Sequence, residues 1–115
     1  MIIDSKDVLG TFPTEPCVFA ACDSKYFVDH ASPFINSAHL AGKPCHVHVV
    51  NPTQQVFELF EYYKTKVTTP STLSYNYMDI PDDPDAMKCT YASLRFFIVP
   101  YLLEKIEKIM ILDID

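Results

Sequence analysis

Two carboxylates separated by a single residue, Asp113 and Asp115, follow an apolar run at residues 109–112 that is typical of a buried strand. Because alternate residues of an extended strand face the same side, both side chains can point at one cation. Oxygen ligands suit Mn²⁺ or Mg²⁺, whose remaining positions are filled by water and diphosphate oxygens. The same triplet also arises by chance as a solvated acidic pair. The strand before it favours the metal site.

A second candidate lies where an earlier apolar run, residues 17–22, ends at Asp23. Doubly wound α/β folds meet their ligands at the carboxyl ends of such strands. Asp23 is a candidate acceptor for a base or ribose donor, or else the N-cap of the following helix. Tyr26 can lay its ring against a base, or be a half-buried amphipathic side chain. With only two glycines in the chain, a dinucleotide fingerprint and a P-loop are excluded.

Each of three further side chains can have either a ligand-binding or a structural role. His46 and His48 alternate with valines, and a metal-binding pair is conceivable. No third ligand is spaced to help, so we favour buried histidines bonded to their neighbours. Arg95, the only arginine, can reach a phosphate with its planar fork or pair with a surface carboxylate.

The elements that must position these residues alternate between strand and helix. The first strand, residues 17–22, leads into a helix to about residue 40, in which Pro33 causes a kink or begins a new helix after Ser32. The second strand is residues 45–50. Asn51 is predicted to cap the next helix. The apolar face of that helix is Val56, Leu59, Phe60 and Tyr63.

The second half of the chain continues the alternation. Residues 74–80 alternate polar and apolar side chains, which predicts a third strand nearer an edge. Thr90 can cap a further helix, and the last strand is residues 109–112. In the helix predicted after Thr90, apolar residues recur at helical spacing, and these are Leu94, Phe97, Ile98 and Tyr101. The order predicts an α/β fold: a three-layer, Rossmann-like, mostly parallel sheet with helices on both faces.

Composition indicates one domain of 115 residues, with residues 1–16 as a lead-in segment. The formal net charge of −6 argues against nucleic-acid or anionic-membrane binding through a basic surface. There is neither a signal peptide nor an apolar stretch of membrane-spanning length, so we expect a cytoplasmic protein without a membrane span. Reduced, buried thiols are expected for the four scattered cysteines, which are Cys17, Cys22, Cys45 and Cys89.

Three segments in register resemble the nucleotide-sugar-binding half of glycosyltransferase family 8. These are the retaining GT-A enzymes of the glycogenin and lipopolysaccharide-galactosyltransferase type. The segments are residues 18–26 with an Asp-x-x-Tyr turn, residues 90–95 at a helix start, and residues 108–115 ending in the DxD motif. The resemblance covers residues 17–115 in order and spacing, and the second strand has the character of the family's second strand.

The resemblance implies a site for a UDP-sugar. Asp23 and Tyr26 would contact the nucleoside, with the backbone of Ala20 and Ala21 beside the base. In the same way, Ile114 would lie against the ribose.

The resemblance also implies that Asp113 and Asp115 bind Mn²⁺. The metal would act as a Lewis acid on the departing diphosphate, and a hexosyl group would pass to a saccharide acceptor with retention of configuration. No catalytic nucleophile is identifiable.

The departures from the family pattern lie at three positions. Lys25 stands where a small amide is common, and Ser93 replaces a basic residue. Arg95 follows two positions later, on a different helix face.

Family members also continue past the DxD motif into an acceptor-binding region with a metal-binding histidine. We therefore expect a truncated domain with low or no transfer activity that self-associates to cover its sheet. The alternative is a non-catalytic α/β module that acts by self-association or partner binding.

Overall fold

The apolar runs of the sequence form an alternating set of strands and helices. The computed structural model describes residues 8–79, 98–100, 102–112 and 114. The elements in chain order are β1 (Leu9–Gly10), β2 (Cys17–Asp23), α1 (Ser24–Leu40), β3 (Cys45–Val50), α2 (Gln54–Lys64), β4 (Ser71–Asn76) and β5 (Ile109–Ile111). In this part of the chain, no helix has the length and apolar character needed to cross a membrane.

The five strands form one mostly parallel sheet in the order β1-β4-β3-β2-β5. Strands β4, β3, β2 and β5 run parallel, and β1 pairs antiparallel with β4. From β2 the chain steps outward to β3 and β4, and β5 then returns to the opposite side of β2. The predicted α/β class with a mostly parallel sheet is confirmed, and it is consistent with a Rossmann-like fold.

One face of the sheet packs against α1 and α2. Strand β3 is buried along its whole length, as expected for an interior strand of a parallel sheet that is covered on both faces. Alternate strand residues and the inner sides of both helices meet in this core. Its fully buried members include Ala20, Phe27, Ala31, Val47, Val49 and Val56.

The opposite face carries a second, smaller cluster. Phe19 of β2 packs there with Val8 and with Ile98 and Leu102, which lie in helical residues 98–100, 102 and 103. Phe12 is partly buried against the same cluster. The lead-in segment therefore joins the fold in two ways: it supplies β1, and it covers part of this face.

Several predicted boundaries change. Helix α1 is continuous through Pro33, so Ser32 does not begin a new helix. Strand β4 starts at Ser71 and ends at Asn76, earlier than the predicted residues 74–80. The last strand is confirmed in place, and beyond it the amide of Leu112 still donates to the carbonyl of Phe19 at 2.8 Å. Most of the helix predicted from Thr90 lies outside the described residues.

The predicted N-cap of α2 is wrong. Thr53, not Asn51, precedes the helix in extended conformation, and Asn51 has a left-handed backbone with φ of 53°. Asparagine tolerates this conformation better than most residues because its short polar side chain can bond locally. Here the side chain bonds Met78 instead of the start of α2.

Candidate functional site

The strand order reverses between β2 and β5: β3 and β4 follow β2 on one side of it, and β5 lies on its other side. Doubly wound sheets bind their ligands at such a reversal. In such sheets the ligand crevice lies outside the carboxyl ends of the two strands that flank the reversal. Asp23 is the last residue of β2, and Leu112 directly follows β5. The predicted metal ligands Asp113 and Asp115 follow Leu112 in sequence and lie outside the described residues.

Asp23 caps helix α1. Its Oδ1 accepts a hydrogen bond from the backbone N–H of Tyr26 at 2.8 Å, which confirms the N-cap interpretation. No other group in the described part of the chain hydrogen-bonds this carboxylate, and the residue is only half-buried. Because a carboxylate has two oxygens, the second one can still accept a bond from a ligand.

Tyr26 stands on the first turn of α1 with 48% of its surface exposed. Its ring stacks on that of His30, with centroids 5.6 Å apart and an angle of 27° between the planes. The stacking partner is one helical turn further along, so the two rings support each other. The exposed part of the Tyr26 ring lies three residues after Asp23 and is open to a flat ligand.

The other predicted binding residues lie along the strands. Ala20 is fully buried, and Ala21 is partly buried on the opposite side of β2. Ile114 is 9% exposed and belongs to the core cluster that also contains Ala20 and Cys22. Its side chain therefore faces the α1 side of the sheet. Arg95 lies outside the described residues.

A hydroxyl group missed by the sequence reasoning connects two turns at this edge of the sheet. Ser24 Oγ donates to the carbonyl of Asn51 at 2.7 Å and accepts from the N–H of Thr53 at 3.2 Å. It thereby joins the β2–α1 turn to the β3–α2 turn. A serine at a helix start resembles an ordinary capping residue, so only the tertiary contact reveals this role.

The two central histidines belong to a buried hydrogen-bonded chain between β3 and β4. His46 Nδ1 lies 2.7 Å from Thr72 Oγ1, and His46 Nε2 lies 2.9 Å from Ser74 Oγ. His48 Nδ1 lies 2.7 Å from the same Ser74 Oγ, and His48 Nε2 lies 2.6 Å from Asn76 Oδ1. Every ring nitrogen therefore has a partner. The prediction of buried histidines bonded to their neighbours is confirmed.

This environment keeps both rings neutral. Burial, assisted by the neighbouring His48, lowers the pKa of His46 to about 3. Burial also lowers the pKa of His48 to about 4, against the opposing effect of its hydrogen bond to Asn76. With all four ring nitrogens engaged, these histidines are structural groups of the sheet rather than metal ligands.

The cysteines of the described segments are free and buried at Cys17, Cys22 and Cys45. Burial raises the pKa of Cys17 to about 11, and burial together with the nearby Cys17 raises that of Cys45 to about 12. The pKa of Cys22 is raised by burial and by Asp23. Such thiols stay protonated near neutral pH and are poor nucleophiles. This agrees with the expectation of reduced, buried thiols at these three positions, and Cys89 lies outside the described residues.

Within residues 8–79, 98–100, 102–112 and 114, no group of three or more His, Cys, Asp or Glu side chains is arranged to hold a metal ion. Asp113 and Asp115 are not among those residues. The fold is that of an α/β domain with a mostly parallel sheet and one topological switch point, between β2 and β5. Comparison with protein-family models, curated protein sequences and solved structures found no significant match.

Proposed function

We propose that this chain binds a nucleoside diphosphate sugar, preferably a UDP-sugar, together with Mn²⁺ or Mg²⁺, as the nucleotide-binding part of a retaining GT-A glycosyltransferase of family 8. The observation that supports it best is the reversal of strand order between β2 and β5. Neighbouring strands lie about 5 Å apart, so the strand ending in Asp23 and the strand preceding Asp113 deliver their carboxyl ends to one crevice. A nucleoside and its diphosphate can occupy that crevice together.

The nucleoside end of the ligand would meet the β2–α1 turn. The free oxygen of Asp23 accepts a hydrogen bond from the base or ribose, and the exposed ring of Tyr26 packs on the flat base. The backbone of Ala20 and Ala21 would lie beside the base. Each of these groups is at or near the carboxyl end of β2.

The diphosphate end would meet the residues after β5. Ile114 packs into the core on the α1 side. In an extended chain its neighbours face the opposite way, so Asp113 and Asp115 would direct both carboxylates to the same side. Two carboxylates suit Mn²⁺, which stabilises the charge on the diphosphate when bound. Arg95 remains a proposed phosphate contact.

Calorimetric titration with UDP, with and without Mn²⁺, tests this function. We expect Mn²⁺-dependent binding that disappears in Asp113→Asn and Asp115→Asn, which remove the negative charge while keeping the side-chain shape. Asp79→Asn is the matched control, because Asp79 is exposed and lies outside the crevice strands. The proposal would be overturned if UDP bound equally well without Mn²⁺ and in Asp113→Asn, or if millimolar UDP gave no heat of binding.

A second candidate function is that of a non-catalytic module that associates with another copy of itself. Met110, Ile111 and Leu112 are consecutive and are exposed by 59%, 39% and 42%. They belong to or follow β5, whose partner in the described part of the sheet is β2 alone. Exposed apolar edge strands promote pairing with other chains. Sedimentation over a range of concentrations tests this: Met110→Lys should lower the associated fraction, and an unchanged monomer at all concentrations contradicts it.

We also propose a reducing, cytoplasmic location. It is supported by the free, buried state of Cys17, Cys22 and Cys45. Thiol titration of the protein purified without reductant tests it, since disulfide-linked cysteines would contradict it.

A further inference from the structure

We propose that Ser24 is a positioning residue that holds the Asp23–Tyr26 turn in its binding geometry. The inference rests on the proposed function, because that function gives the turn its ligand. Ser24 does not need to touch the ligand. It acts through a clasp, defined here as the two hydrogen bonds of its hydroxyl to the β3–α2 turn.

In the clasp, the Ser24 hydroxyl is both a hydrogen-bond donor and a hydrogen-bond acceptor. Its proton goes to the carbonyl of Asn51 at 2.7 Å, and its oxygen receives the N–H of Thr53 at 3.2 Å. Thr53 is the N-cap residue of α2, and its own side chain makes no capping bond. Ser24 therefore connects the first turn of α1 with the N-cap residue of α2.

The far side of the clasp is anchored to the sheet. The N–H of Asn51 donates to the carbonyl of Asn76 at 2.8 Å. Its side chain donates to the carbonyl of Met78 at 2.9 Å and accepts the N–H of Met78 at 2.8 Å. Three hydrogen bonds thus hold Asn51 against the segment at the end of β4. These bonds restrain the position of Asn51, and with it the carbonyl that Ser24 contacts.

The near side of the clasp is the binding turn itself. Ser24 directly follows Asp23, whose carboxylate is already oriented by the N–H of Tyr26. A second restraint on the adjacent residue fixes where the free carboxylate oxygen and the Tyr26 ring lie relative to β3. Groups held in the productive geometry before binding lose less entropy when the ligand arrives. The clasp therefore acts on affinity, beyond its contribution to folding.

The test compares Ser24→Ala with Ser24→Thr, which keeps a hydroxyl. The control is Ser37→Ala, on an exposed part of the same helix. In Ser24→Ala, which removes both hydrogen bonds of the clasp, we expect the affinity for UDP with Mn²⁺ to fall about fivefold, because the turn must then be ordered when the ligand binds. Ser24→Thr should restore most of it, and Ser37→Ala should change nothing. All variants are compared under conditions where denaturation curves show each of them to be folded.

A ligand-free measurement separates this inference from the proposed function. We expect the amide hydrogen of Tyr26 to exchange faster in Ser24→Ala than in Ser24→Thr or the wild-type protein. Unchanged exchange overturns the positioning role, whether or not UDP binds. Faster exchange with unaltered UDP affinity overturns it as well. If the wild-type protein binds no UDP, the proposed function fails, and the exchange rate of Tyr26 alone decides whether Ser24 positions the turn.

Discussion

His46 and His48 are joined through a single hydroxyl group. Ser74 Oγ lies 2.9 Å from Nε2 of His46 and 2.7 Å from Nδ1 of His48. A hydroxyl carries one proton, so it donates to one ring and must accept an N–H from the other. The two neutral rings consequently hold their protons on the same type of nitrogen, and the chain of hydrogen bonds has one direction from Thr72 to Asn76.

Acid should destabilise the fold through these histidines. In the folded protein the pKa of His46 is about 3 and that of His48 about 4, against an ordinary value of 6.5. The unfolded chain therefore binds more protons between these values, and stability rises with pH there. The contribution is complete above about pH 6.5 and is lost as the pH falls toward 3. We expect the free energy of unfolding to fall by about 4 kcal/mol between pH 7.5 and 5, measured by urea denaturation.

The control for the acid effect is His30→Gln. His30 stacks on Tyr26 at the helix surface and takes no part in the buried chain. This variant should keep the wild-type pH dependence. A wild-type unfolding free energy that stays constant from pH 7.5 to 5 would contradict neutral, buried histidines.

Removal of the shared hydroxyl should be costly. Ser74→Ala leaves Nε2 of His46 and Nδ1 of His48 without their partner in a fully buried setting. Unpaired buried polar atoms cost about 1–3 kcal/mol each, so we expect a loss of about 3 kcal/mol in urea denaturation at pH 7.5. Ser37→Ala, at an exposed position, should change stability by less than about 0.5 kcal/mol. Equal stabilities of the two variants would show that the chain contributes little.

The two glycines should respond differently to alanine. Gly10 has φ of 105°, and an added Cβ would clash with the carbonyl oxygen of Leu73 on the neighbouring strand. Gly42 has φ of 70° with open space around it. We expect Gly42→Ala to cost about 1 kcal/mol from backbone strain alone. Gly10→Ala should cost about 3 kcal/mol, because β1 must also move away from β4. Thermal unfolding of both variants checks this, and a smaller loss in Gly10→Ala would refute the close approach.

The ring of Tyr26 should matter more than its hydroxyl for nucleotide binding. Tyr26→Phe keeps the flat surface, whereas Tyr26→Ala removes it and leaves the Asp23 cap, which uses the backbone N–H. We expect Tyr26→Ala to weaken binding of UDP with Mn²⁺ about tenfold, the usual effect of losing one stacking contact. Tyr26→Phe should bind like the wild-type protein. Tyr62→Ala, another exposed tyrosine, is the control; equal affinities of the two alanine variants would exclude a stacking role for Tyr26.

Local sequence patterns were sufficient for most of the fold. A continuous apolar run such as residues 17–22, bounded by Pro16 and Asp23, predicts a parallel strand that is covered on both faces. The same patterns failed at β4. Residues 74–80 predicted a strand nearer an edge, yet β4 begins at Ser71, and the side chains of Ser74 and Asn76 bond to the histidines of β3. An alternation of polar and apolar residues does not show whether the polar side chains face solvent or a polar side chain on the neighbouring strand.

The candidate site was predictable in part. For Asp23, the N-cap was one of two interpretations that the sequence offered, because its partner, the N–H of Tyr26, is only three residues away. The contact between Ser24 and Asn51 spans 27 residues and depends on how two turns meet in space. Asn51 was misread for the same reason, since an asparagine before a proline is a common helix start. Contacts between turns require the strand order, which local spacing does not supply.

The pairing of β2 with β5 also bears on the order in which the strands of the sheet can assemble during folding. Cys17 of β2 pairs with Ile109 of β5, far along the chain, whereas β2 also pairs with β3, and β3 with β4, which follow them closely. During synthesis, the three earlier parallel strands emerge first and can assemble while one side of β2 is still bare. Closing the long connection to β5 carries the larger entropic cost and is slow. We therefore expect the pairing of β5 with β2 to form last, so that a nascent chain exposes one edge of β2 until then.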